Sequence, residues 1–306
     1  MYLPYPIIDA HAHIIEQIKS VGYRGEIRAL GDGMARWANG DELRVIPKGW
    51  GEYGCSYEKM LTVMDENNIE KTVLLQGSLY GFQNEYSFEA RDRYPDRFSV
   101  MASFDPYCLG APEIMKRWIE EKQAKGLKFE MSVYSGLMGF HPEFRIDGDI
   151  MRPVWECVAD RGLVISLDIG EKGTASHQID AIIGMAKRYP AAKIVLEHLF
   201  CIAPDQQDYL EEVLRKVAPC RNIYTTLASV LTNCGEQKPY PMAVRYVKTA
   251  ADIIGTERIM WGTDLPITAS LMPMEELKSF VADHCGFEYS DIKNIYHDTA
   301  VEVYSL

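Results

Sequence analysis

The most regular feature of the sequence is an alternation between short apolar runs and longer stretches in which apolar residues recur every three to four positions. The apolar runs are bounded by turn residues, which is typical of buried strands. They cover Ile7–His11, Lys71–Gln76, Phe98–Ser103, Gly126–Met131, Leu163–Asp168, Lys193–His198, Asn222–Thr226 and Arg258–Gly262. The stretches with helical spacing cover Tyr57–Asn67, Pro112–Gln123, Met151–Asp160, His177–Lys187, Asp205–Val217, Pro241–Ile254, Met274–Asp283 and Tyr289–Tyr304.

Strands and helices that alternate in this way indicate parallel βαβ units. Eight such units favour a closed barrel, because every strand is then covered by a helix and no sheet edge stays open. A length of 306 residues is normal for one such domain. We therefore predict a single α/β domain over residues 1–306, a (β/α)8 TIM barrel. A doubly wound open sheet is the alternative, but no Gly-rich turn for a dinucleotide follows the first strand.

Residues 14–54 separate the first strand from the first helix and show no clear periodicity. The segment is rich in Gly, Arg and Trp. Irregular segments of this length are uncommon in compact domains and are usually functional. Because it follows a barrel strand, we expect it over the C-terminal mouth, where such barrels keep their chemistry. We interpret it as a long insertion that forms a lid or substrate loop, with a packed surface insertion as the alternative.

Composition and charge argue against several partners and compartments. The formal net charge of −12 argues against a nucleic acid or an anionic membrane as partner, because both attract positive surfaces. The seven cysteines form no CxxC pair, which favours free thiols over disulfides or a thiolate zinc site. The first residues lack the basic region of a signal peptide, and no stretch of about 18 apolar residues occurs. We expect a cytoplasmic protein that acts on a small molecule.

A histidine pair ends the first predicted strand, in the run Ile-Ile-Asp-Ala-His-Ala-His at 7–13. Residues two apart on a strand face the same side, so His11 and His13 are expected to point together into the barrel. Two neutral imidazoles are good ligands for a borderline divalent metal. Chance placement of two histidines in an apolar run is the alternative. The pair predicts a metal site at the end of the first strand.

Two further strand ends carry ionisable residues. Asp264 follows the eighth strand in Trp-Gly-Thr-Asp-Leu-Pro (261–266), where a carboxylate can bind metal and shuttle a proton. A turn or helix cap is the alternative for this residue. His198 closes the sixth strand and is a candidate acid, oxyanion stabiliser or metal ligand, with a buried structural histidine as the alternative. Strand alternation predicts that its neighbour Glu197 points the opposite way, behind the barrel wall.

The opening motif, the stretch 188–199 and the closing Trp-Gly-Thr-Asp-Leu-Pro together resemble the amidohydrolase superfamily, and in particular its amidohydrolase-2 branch. The resemblance spans most of the chain. It implies metal ligation by His11, His13, a histidine at the end of the fifth strand, and Asp264. Asp168 stands here in place of that histidine. Either Asp168 replaces the imidazole, which gives a harder ligand set for one Zn²⁺ or Mn²⁺, or His177 reaches the metal from the following loop; we favour Asp168.

The fourth predicted strand adds Lys128 and Glu130 on one face, and a buried Lys or Glu is costly unless it is paired. The resemblance allows Lys128 to be the carbamylated bridging ligand of binuclear members. Glu130 is a candidate ligand or substrate contact, and a plain Lys–carboxylate pair is the alternative that we favour for both.

Candidate substrate-binding residues follow the second strand or lie in the segment 14–54. An arginine suits a carboxylate by bidentate pairing, and a tryptophan can stack on a ring. The candidates are Gln76, Tyr80, Asn84, Arg36 and Trp50.

The resemblance implies two alternative reactions, and the missing histidine of the fifth strand leaves a third function open. In the preferred one, metal-activated water attacks the carbonyl of a lactone, ester or amide in a small, carboxylate-bearing substrate, Asp264 shuttles the proton and His198 stabilises the oxyanion. The second is non-oxidative decarboxylation of a hydroxylated aromatic or unsaturated acid, which uses the same ligands. The third is a binding barrel that has lost catalysis. The resemblance also implies a homodimer.

Overall fold

The structure, a computed structural model, describes Leu3 and residues 5–306. Its strands are β1 (Ile7–Ala12), β2 (Lys19–Gly22), β3 (Gly25–Gly31), β4 (Met34–Trp37), β5 (Glu42–Arg44), β6 (Ile69–Leu74), β7 (Phe98–Ala102), β8 (Gly126–Glu130), β9 (Val164–Asp168), β10 (Lys193–Leu196), β11 (Ile223–Thr226) and β12 (Ile259–Met260). Its longer α-helices span Tyr57–Asn67, Asn84–Arg93, Arg152–Arg161, Ile179–Arg188, Gln207–Val217, Pro241–Ile254 and Met274–His284. Shorter helices span Ala111–Lys116, Val230–Cys234, Tyr289–Lys293 and Thr299–Tyr304. Within the described residues, none is both long and apolar enough to cross a membrane.

Eight parallel strands form a nearly closed barrel in the order β1-β6-β7-β8-β9-β10-β11-β12. Consecutive barrel strands are neighbours in space, with helices on the crossovers, as a (β/α)8 barrel requires. The predicted TIM barrel is confirmed, and each predicted strand bound lies within two residues of the observed one. The doubly wound alternative is excluded, because the strand order never reverses.

Strand β1 contains a bulge just before the barrel mouth. Asp9 pairs with Thr72 of β6 and Ala12 pairs with Leu74, so β1 has one residue more than β6 between the two pairs. A bulge shifts the alternation of side chains by one residue, and bulges are common next to functional sites. Ala10, before the shift, packs in the barrel interior. The shift lets the two histidines that follow face the interior as well.

The barrel closes between β1 and the segment that follows β12. The backbone N–H of Asp264 donates to the carbonyl oxygen of His11 at 2.7 Å. The buried Asp9 carboxylate adds a side-chain link, because it accepts hydrogen bonds from the backbone N–H and the hydroxyl of Thr263, at 2.9 and 2.6 Å. These bonds hold the ends of the first and last barrel strands together.

Strands β2–β5 form an antiparallel sheet within residues 14–54, where irregular structure was expected. That expectation was wrong, because three of the four strands have only three or four residues, too few for a periodic signal. Ile27, Ala35 and Trp37 of this sheet pack with Tyr80 in an apolar cluster separate from the main core. The sheet therefore has a core of its own, which extends to the loop after β6.

The helix Thr299–Tyr304 covers the N-terminal end of the barrel. Val303 packs against interior residues of the strands. Lys193, at the start of β10, donates from Nζ to the backbone oxygens of Glu302 and Val303 at 2.8 and 2.9 Å. Lysine ammonium groups satisfy the carbonyl groups that a helix leaves free at its C-terminus. The opposite, C-terminal end of the strands holds the clustered histidines.

Candidate active site

The side chains of His11, His13 and Asp264 converge at the C-terminal mouth of the barrel. The Nε2 atoms of His11 and His13 lie 3.2 Å apart. Asp264 Oδ1 lies 3.1 Å from Nε2 of His13 and 3.5 Å from that of His11. Among the described residues, these three form the group of potential metal ligands whose ligand atoms all lie within 4.8 Å of one another.

The second nitrogen of each imidazole is held by the protein. His13 Nδ1 lies 2.9 Å from the carbonyl oxygen of Leu75. Because a carbonyl oxygen only accepts, neutral His13 carries its proton on Nδ1 and presents a lone pair on Nε2. His11 Nδ1 lies 2.7 Å from a carboxylate oxygen of Glu197, which has the same effect. When both imidazoles are neutral, their Nε2 lone pairs therefore face Asp264 and each other.

In that state three acceptor atoms face one another, and they repel unless a metal ion lies between them or one imidazole takes up a proton. Two nitrogens bound to one zinc at about 2.0–2.1 Å in tetrahedral geometry stand about 3.3 Å apart. The 3.2 Å between Nε2 of His11 and Nε2 of His13 is close to this separation. A carboxylate on the second nitrogen of a ligating histidine is also a common outer partner in metal sites. The arrangement of nitrogen and oxygen donors therefore fits a divalent metal.

The surroundings shift the pKa values of the three converging side chains in different directions. Burial lowers the pKa of His11, but the carboxylates of Glu197 and Asp264 together raise it to about 10. Burial lowers the pKa of His13 below its ordinary value. Burial raises the pKa of Asp264, but the neighbouring imidazoles of His11 and His13 hold it well below its usual range. Asp264 is therefore anionic, and the site favours a positive charge next to it.

Glu197 lies inside the barrel, so the prediction that it points behind the barrel wall is wrong. Its fully buried carboxylate contacts His11 and accepts hydrogen bonds from the hydroxyls of Ser166 and Thr226. Burial raises the pKa of Glu197, but His11, His198 and the hydrogen bond from Ser166 together lower it below its ordinary value. The carboxylate is therefore ionised and orients the imidazole of His11.

A left-handed turn after β10 brings His198 to the same cavity. All four residues 198–201 have positive φ, between 49° and 63°. Residues other than glycine rarely adopt this conformation, and such strain clusters at functional sites. Val195 faces the barrel interior, so alternation places Glu197 inside, and the turn then redirects His198. The ring of His198 lies 4.9 Å from that of His11.

Asp168 does not join the three converging atoms, contrary to the expectation that it replaces the missing histidine ligand. Its carboxylate lies 3.5 Å from Nε2 of His198 and 3.1 Å from the thiol sulfur of Cys201. Burial raises the pKa of Asp168, but His198 lowers it more. Burial lowers the pKa of His198, but Asp168 raises it more. The two side chains therefore form an ion pair beside the group of potential ligands.

His177 is held away from the site by contacts on both ring nitrogens. Nδ1 lies 3.0 Å from the carbonyl oxygen of Gly170, and Nε2 lies 2.6 Å from the hydroxyl of Tyr209. The structure therefore does not bring His177 to the three converging side chains.

The predicted residues of β8 lie inside the barrel but are not paired with each other. Glu130 accepts hydrogen bonds from the backbone N–H of Ser78 at 2.9 Å and from the hydroxyls of Ser132 and Ser135. It anchors the loops after β6 and β8. Lys128 is buried and lies within no ion-pair distance of Glu130 in the described structure, but its positive charge helps to lower the pKa of Asp168 on the adjacent strand.

Of the candidate substrate-binding residues, Tyr80 lies beside the site, with its ring 5.1 Å from that of His13. The other four are held elsewhere, and their assignment to the substrate is not supported. Gln76 and Asn84 are buried and bond to backbone groups. Arg36 is exposed and pairs with a glutamate, and Trp50 packs against apolar side chains.

The sequence analysis missed Glu197 and Ser229 as residues that position the site. The Ser229 hydroxyl donates to Oδ2 of Asp264, which leaves Oδ1 facing the histidines. A usable signal existed for Glu197, because a carboxylate in an apolar strand requires a buried partner. Ser229 lies after β11 in a segment without a recognisable motif.

The chain is similar to known proteins over most of its length. The amidohydrolase family model matches residues 8–306. L-Fucono-1,5-lactonase from Burkholderia ambifaria is 22% identical over 266 residues, which cover 85% of this chain and 80% of the lactonase.

Two solved structures share the fold over most of their length. An amidohydrolase from Burkholderia multivorans with bound zinc has a TM-score of 0.72 and 15% identity, covering 98% of this chain and 99% of that one. 5-Carboxyvanillate decarboxylase from Sphingomonas paucimobilis has a TM-score of 0.58 and 16% identity, covering 81% and 82%. The chain therefore belongs to the amidohydrolase family, a family of metal-dependent enzymes built on a (β/α)8 barrel.

Proposed function

We propose that the protein is a metal-dependent hydrolase that acts on the carbonyl of a lactone, ester or amide in a small, carboxylate-bearing substrate. The convergence of acceptor atoms from His11, His13 and Asp264 carries the proposal. The similarity to a lactonase supports hydrolysis, and the zinc in a structural neighbour supports a metal.

We assign His11, His13 and Asp264 as the ligands of one divalent ion, zinc or manganese. When bound, such an ion lowers the pKa of a water from 15.7 to about 7 and polarises a carbonyl. Glu197 and the carbonyl of Leu75 orient the two imidazoles by holding their Nδ1 atoms. This outer support is expected to raise the affinity of the site for the ion.

Asp264 is the proposed proton carrier. Burial raises its pKa, but the neighbouring imidazoles hold it well below the usual range, so the carboxylate is ionised at neutral pH. It accepts the proton of the attacking water and delivers it to the leaving group. Ser229 holds Oδ2 during this transfer.

His198 is the proposed stabiliser of the oxyanion. Its Nδ1 lies 2.9 Å from the carbonyl oxygen of Ala228, so Nδ1 carries a proton. The Asp168 carboxylate favours a second proton on Nε2, which faces the cavity that Asp168 lines. A charged donor at that position stabilises the carbonyl oxygen as it gains negative charge.

The sheet β2–β5 is the proposed lid of the site. Its apolar cluster includes Tyr80, whose ring contacts His13. The ring of Tyr80 therefore connects the sheet to His13, one of the potential ligands.

Decarboxylation is the rival function. The structural similarity to 5-carboxyvanillate decarboxylase supports it, and a protonated His198 is able to deliver a proton to carbon. The same similarities to enzymes argue against a barrel that only binds.

The test combines metal analysis with a substrate screen. Protein purified without chelator is analysed for metal, and then assayed on lactones, esters, amides and hydroxybenzoates with detection of CO2. We expect about one equivalent of zinc or manganese per chain, and hydrolysis of a lactone, ester or amide. Release of CO2 from a hydroxybenzoate without any hydrolysis would favour the rival. Absence of a bound metal after reconstitution would contradict both.

A further inference from the structure

The C-terminal mouth of the barrel contains a second cavity, the apolar pocket, which the proposed reaction does not use. Its volume is about 150 Å³. Strand β2 contributes Val21 to its wall, the loop after β6 contributes Phe82, and the loop after β8 contributes Leu137 and Phe140. The sheet β2–β5 and two loops that follow barrel strands therefore meet around one apolar space.

Three of these apolar side chains are exposed. Val21 is 55% exposed, Phe82 43% and Phe140 52%. Apolar side chains that are scattered singly over a surface are ordinary, whereas a contiguous group of them marks an interaction site or a ligand-binding groove. These three line the same cavity. A ligand with an apolar part is able to cover them together.

Polar side chains of the pocket lining already have partners within the protein. The carboxylate of Asp105 lies 2.8 Å from Nε2 of His141. The hydroxyl of Ser20 donates to the carbonyl oxygen of Ser78, and that of Ser135 donates to the carboxylate at the end of β8, both at 2.5 Å. These bonds occupy the polar groups, so the surface that remains for a ligand is mainly apolar.

The wall of the apolar pocket lies next to the potential metal ligands. Ser78 lines the pocket and follows Gly77 in the chain. A Cβ atom at Gly77 would lie 3.5 Å from Cε1 of His13. The pocket is therefore one residue away from a direct contact with a potential ligand.

The apolar pocket also adjoins the cavity of about 350 Å³ that Asp168 lines. Ser135 lines both cavities. Glu130 lines the larger one, and it accepts hydrogen bonds from the Ser135 hydroxyl and from the backbone N–H of Ser78. One carboxylate therefore joins the loops after β6 and β8 where the two cavities meet. A single ligand is able to occupy both.

The volume of the apolar pocket sets the size of the group that it takes. An engineered apolar cavity of about 150 Å³ in another protein binds benzene. The apolar pocket has about the same volume. It therefore accommodates a phenyl ring or an alkyl group of similar size, and a ring there is able to contact Phe82 and Phe140 in stacked or edge-to-face geometry.

We propose that the apolar pocket binds an apolar group of the substrate, a phenyl ring or an alkyl group of similar size, and that it selects lactones, esters or amides that carry such a group. The proposal rests on the hydrolase function, because the metal site determines where the reacting carbonyl lies. Val21 belongs to the sheet β2–β5, so this sheet completes the binding site. A substrate with only a methyl group at this position buries less apolar surface and binds less well.

The kinetic test compares two carboxylate-bearing lactones that differ only in a phenyl or a methyl substituent. In the wild type, kcat/KM is expected to be about 10- to 100-fold higher for the phenyl lactone, because burial of a ring is favourable. In the double variant Phe82→Ala/Phe140→Ala this ratio is expected to fall to about threefold or less. Tyr53→Ala is the control, because Tyr53 is an exposed aromatic residue that lines neither cavity. An unchanged ratio in the double variant would overturn the proposal.

A variant that fills the apolar pocket tests the same site in the opposite way. Val21→Phe is expected to lower kcat/KM for the phenyl lactone about tenfold and to leave the value for the methyl lactone within about threefold, because the added ring takes the space of the substituent. Val21 is exposed, so the variant is expected to keep the Tm of the wild type within about 2 °C. Equal losses on both lactones would contradict a role in selection.

A binding test does not depend on turnover or on the metal. The neutral probe 4-fluorobenzyl alcohol carries a ring and no chelating group, and ¹⁹F NMR follows its titration. Saturable binding to the wild type is expected, with affinity about tenfold weaker in Phe82→Ala/Phe140→Ala and unchanged in Tyr53→Ala. This result supports the apolar pocket even if no lactone is hydrolysed. Equal affinity of the wild type and the double variant, or no saturable binding to the wild type, would overturn the proposal.

Discussion

The carboxylate of Glu197 lies 2.7 Å from Nδ1 of His11, and both side chains are buried inside the barrel. This contact links the end of β10 to the end of β1. It also determines which nitrogen of His11 faces the cavity, because the carboxylate holds the proton on Nδ1.

Glu197→Gln is expected to weaken metal binding about 10- to 100-fold, because the imidazole loses its charged outer partner. Competition with a chromophoric chelator measures the affinity. Glu171→Gln is the matched control, because Glu171 is an exposed carboxylate that lines the nearby cavity. Equal metal affinity in the wild type and Glu197→Gln would show that the contact does not tune the site.

Asp264→Asn is expected to lower kcat about 10²- to 10⁴-fold, because an amide cannot accept the proton of the attacking water. Steady-state assays on the best substrate from the screen measure the loss, and metal analysis accompanies them. Asp252→Asn, at an exposed position, is the control and should keep full activity. Undiminished turnover with metal still bound would contradict the assigned role.

Asp168→Asn is expected to keep one equivalent of metal and to lose activity. Metal is expected to stay because Asp168 is not one of the three converging side chains. Activity is expected to fall because Asp168 faces His198. Without the carboxylate, His198 holds its second proton less well and donates less strongly to the oxyanion. Metal analysis after dialysis separates the roles, with His13→Ala as the variant that should lose metal. A matching loss in Asp168→Asn would restore Asp168 as a ligand.

The barrel was predictable because its strands are short apolar runs with helices between them, a pattern that depends on local sequence alone. The antiparallel sheet β2–β5 was not, since its strands are mostly three or four residues long. Some observed strands end earlier than predicted where polar residues lie at the barrel mouth. Strand β10, for example, ends at Leu196 and not at His198.

Within the site, His11, His13 and Asp264 were expected to lie together from their places at strand ends. The sequence did not reveal which side of the barrel wall the side chains of Glu197 and His198 face. His198 begins a left-handed turn that contains no glycine, so the sequence gives no sign that alternation stops there. The bulge in β1 was not predictable from the sequence either, because it inserts one residue without a turn motif.

Asn84 was predicted to contact the substrate, but in the structure it is buried and bonds to the backbone. Its amide accepts from the backbone N–H of Ser103 and donates to its carbonyl oxygen, both at 2.9 Å. Asn84→Ala is expected to lower the free energy of unfolding by about 1–3 kcal/mol, because buried backbone groups lose their partners. Urea denaturation measures this, with exposed Asn39→Ala as the control. A large rise in KM with unchanged stability would instead support substrate contact.

Lys193→Met is expected to destabilise the end of the barrel opposite the site without changing the chemistry. The ammonium group donates to two backbone oxygens, those of Glu302 and Val303, at the C-terminus of the last helix. Methionine keeps the apolar stem and removes the donor, so the loss should be about 1–2 kcal/mol in the free energy of unfolding for this partly exposed group. Exposed Lys187→Met is the matched control and should change stability by less than about 0.5 kcal/mol. Because the site lies at the far end of the strands, kcat and metal affinity should stay at their wild-type values; a loss of either would mean that the last helix is coupled to the site through the barrel core.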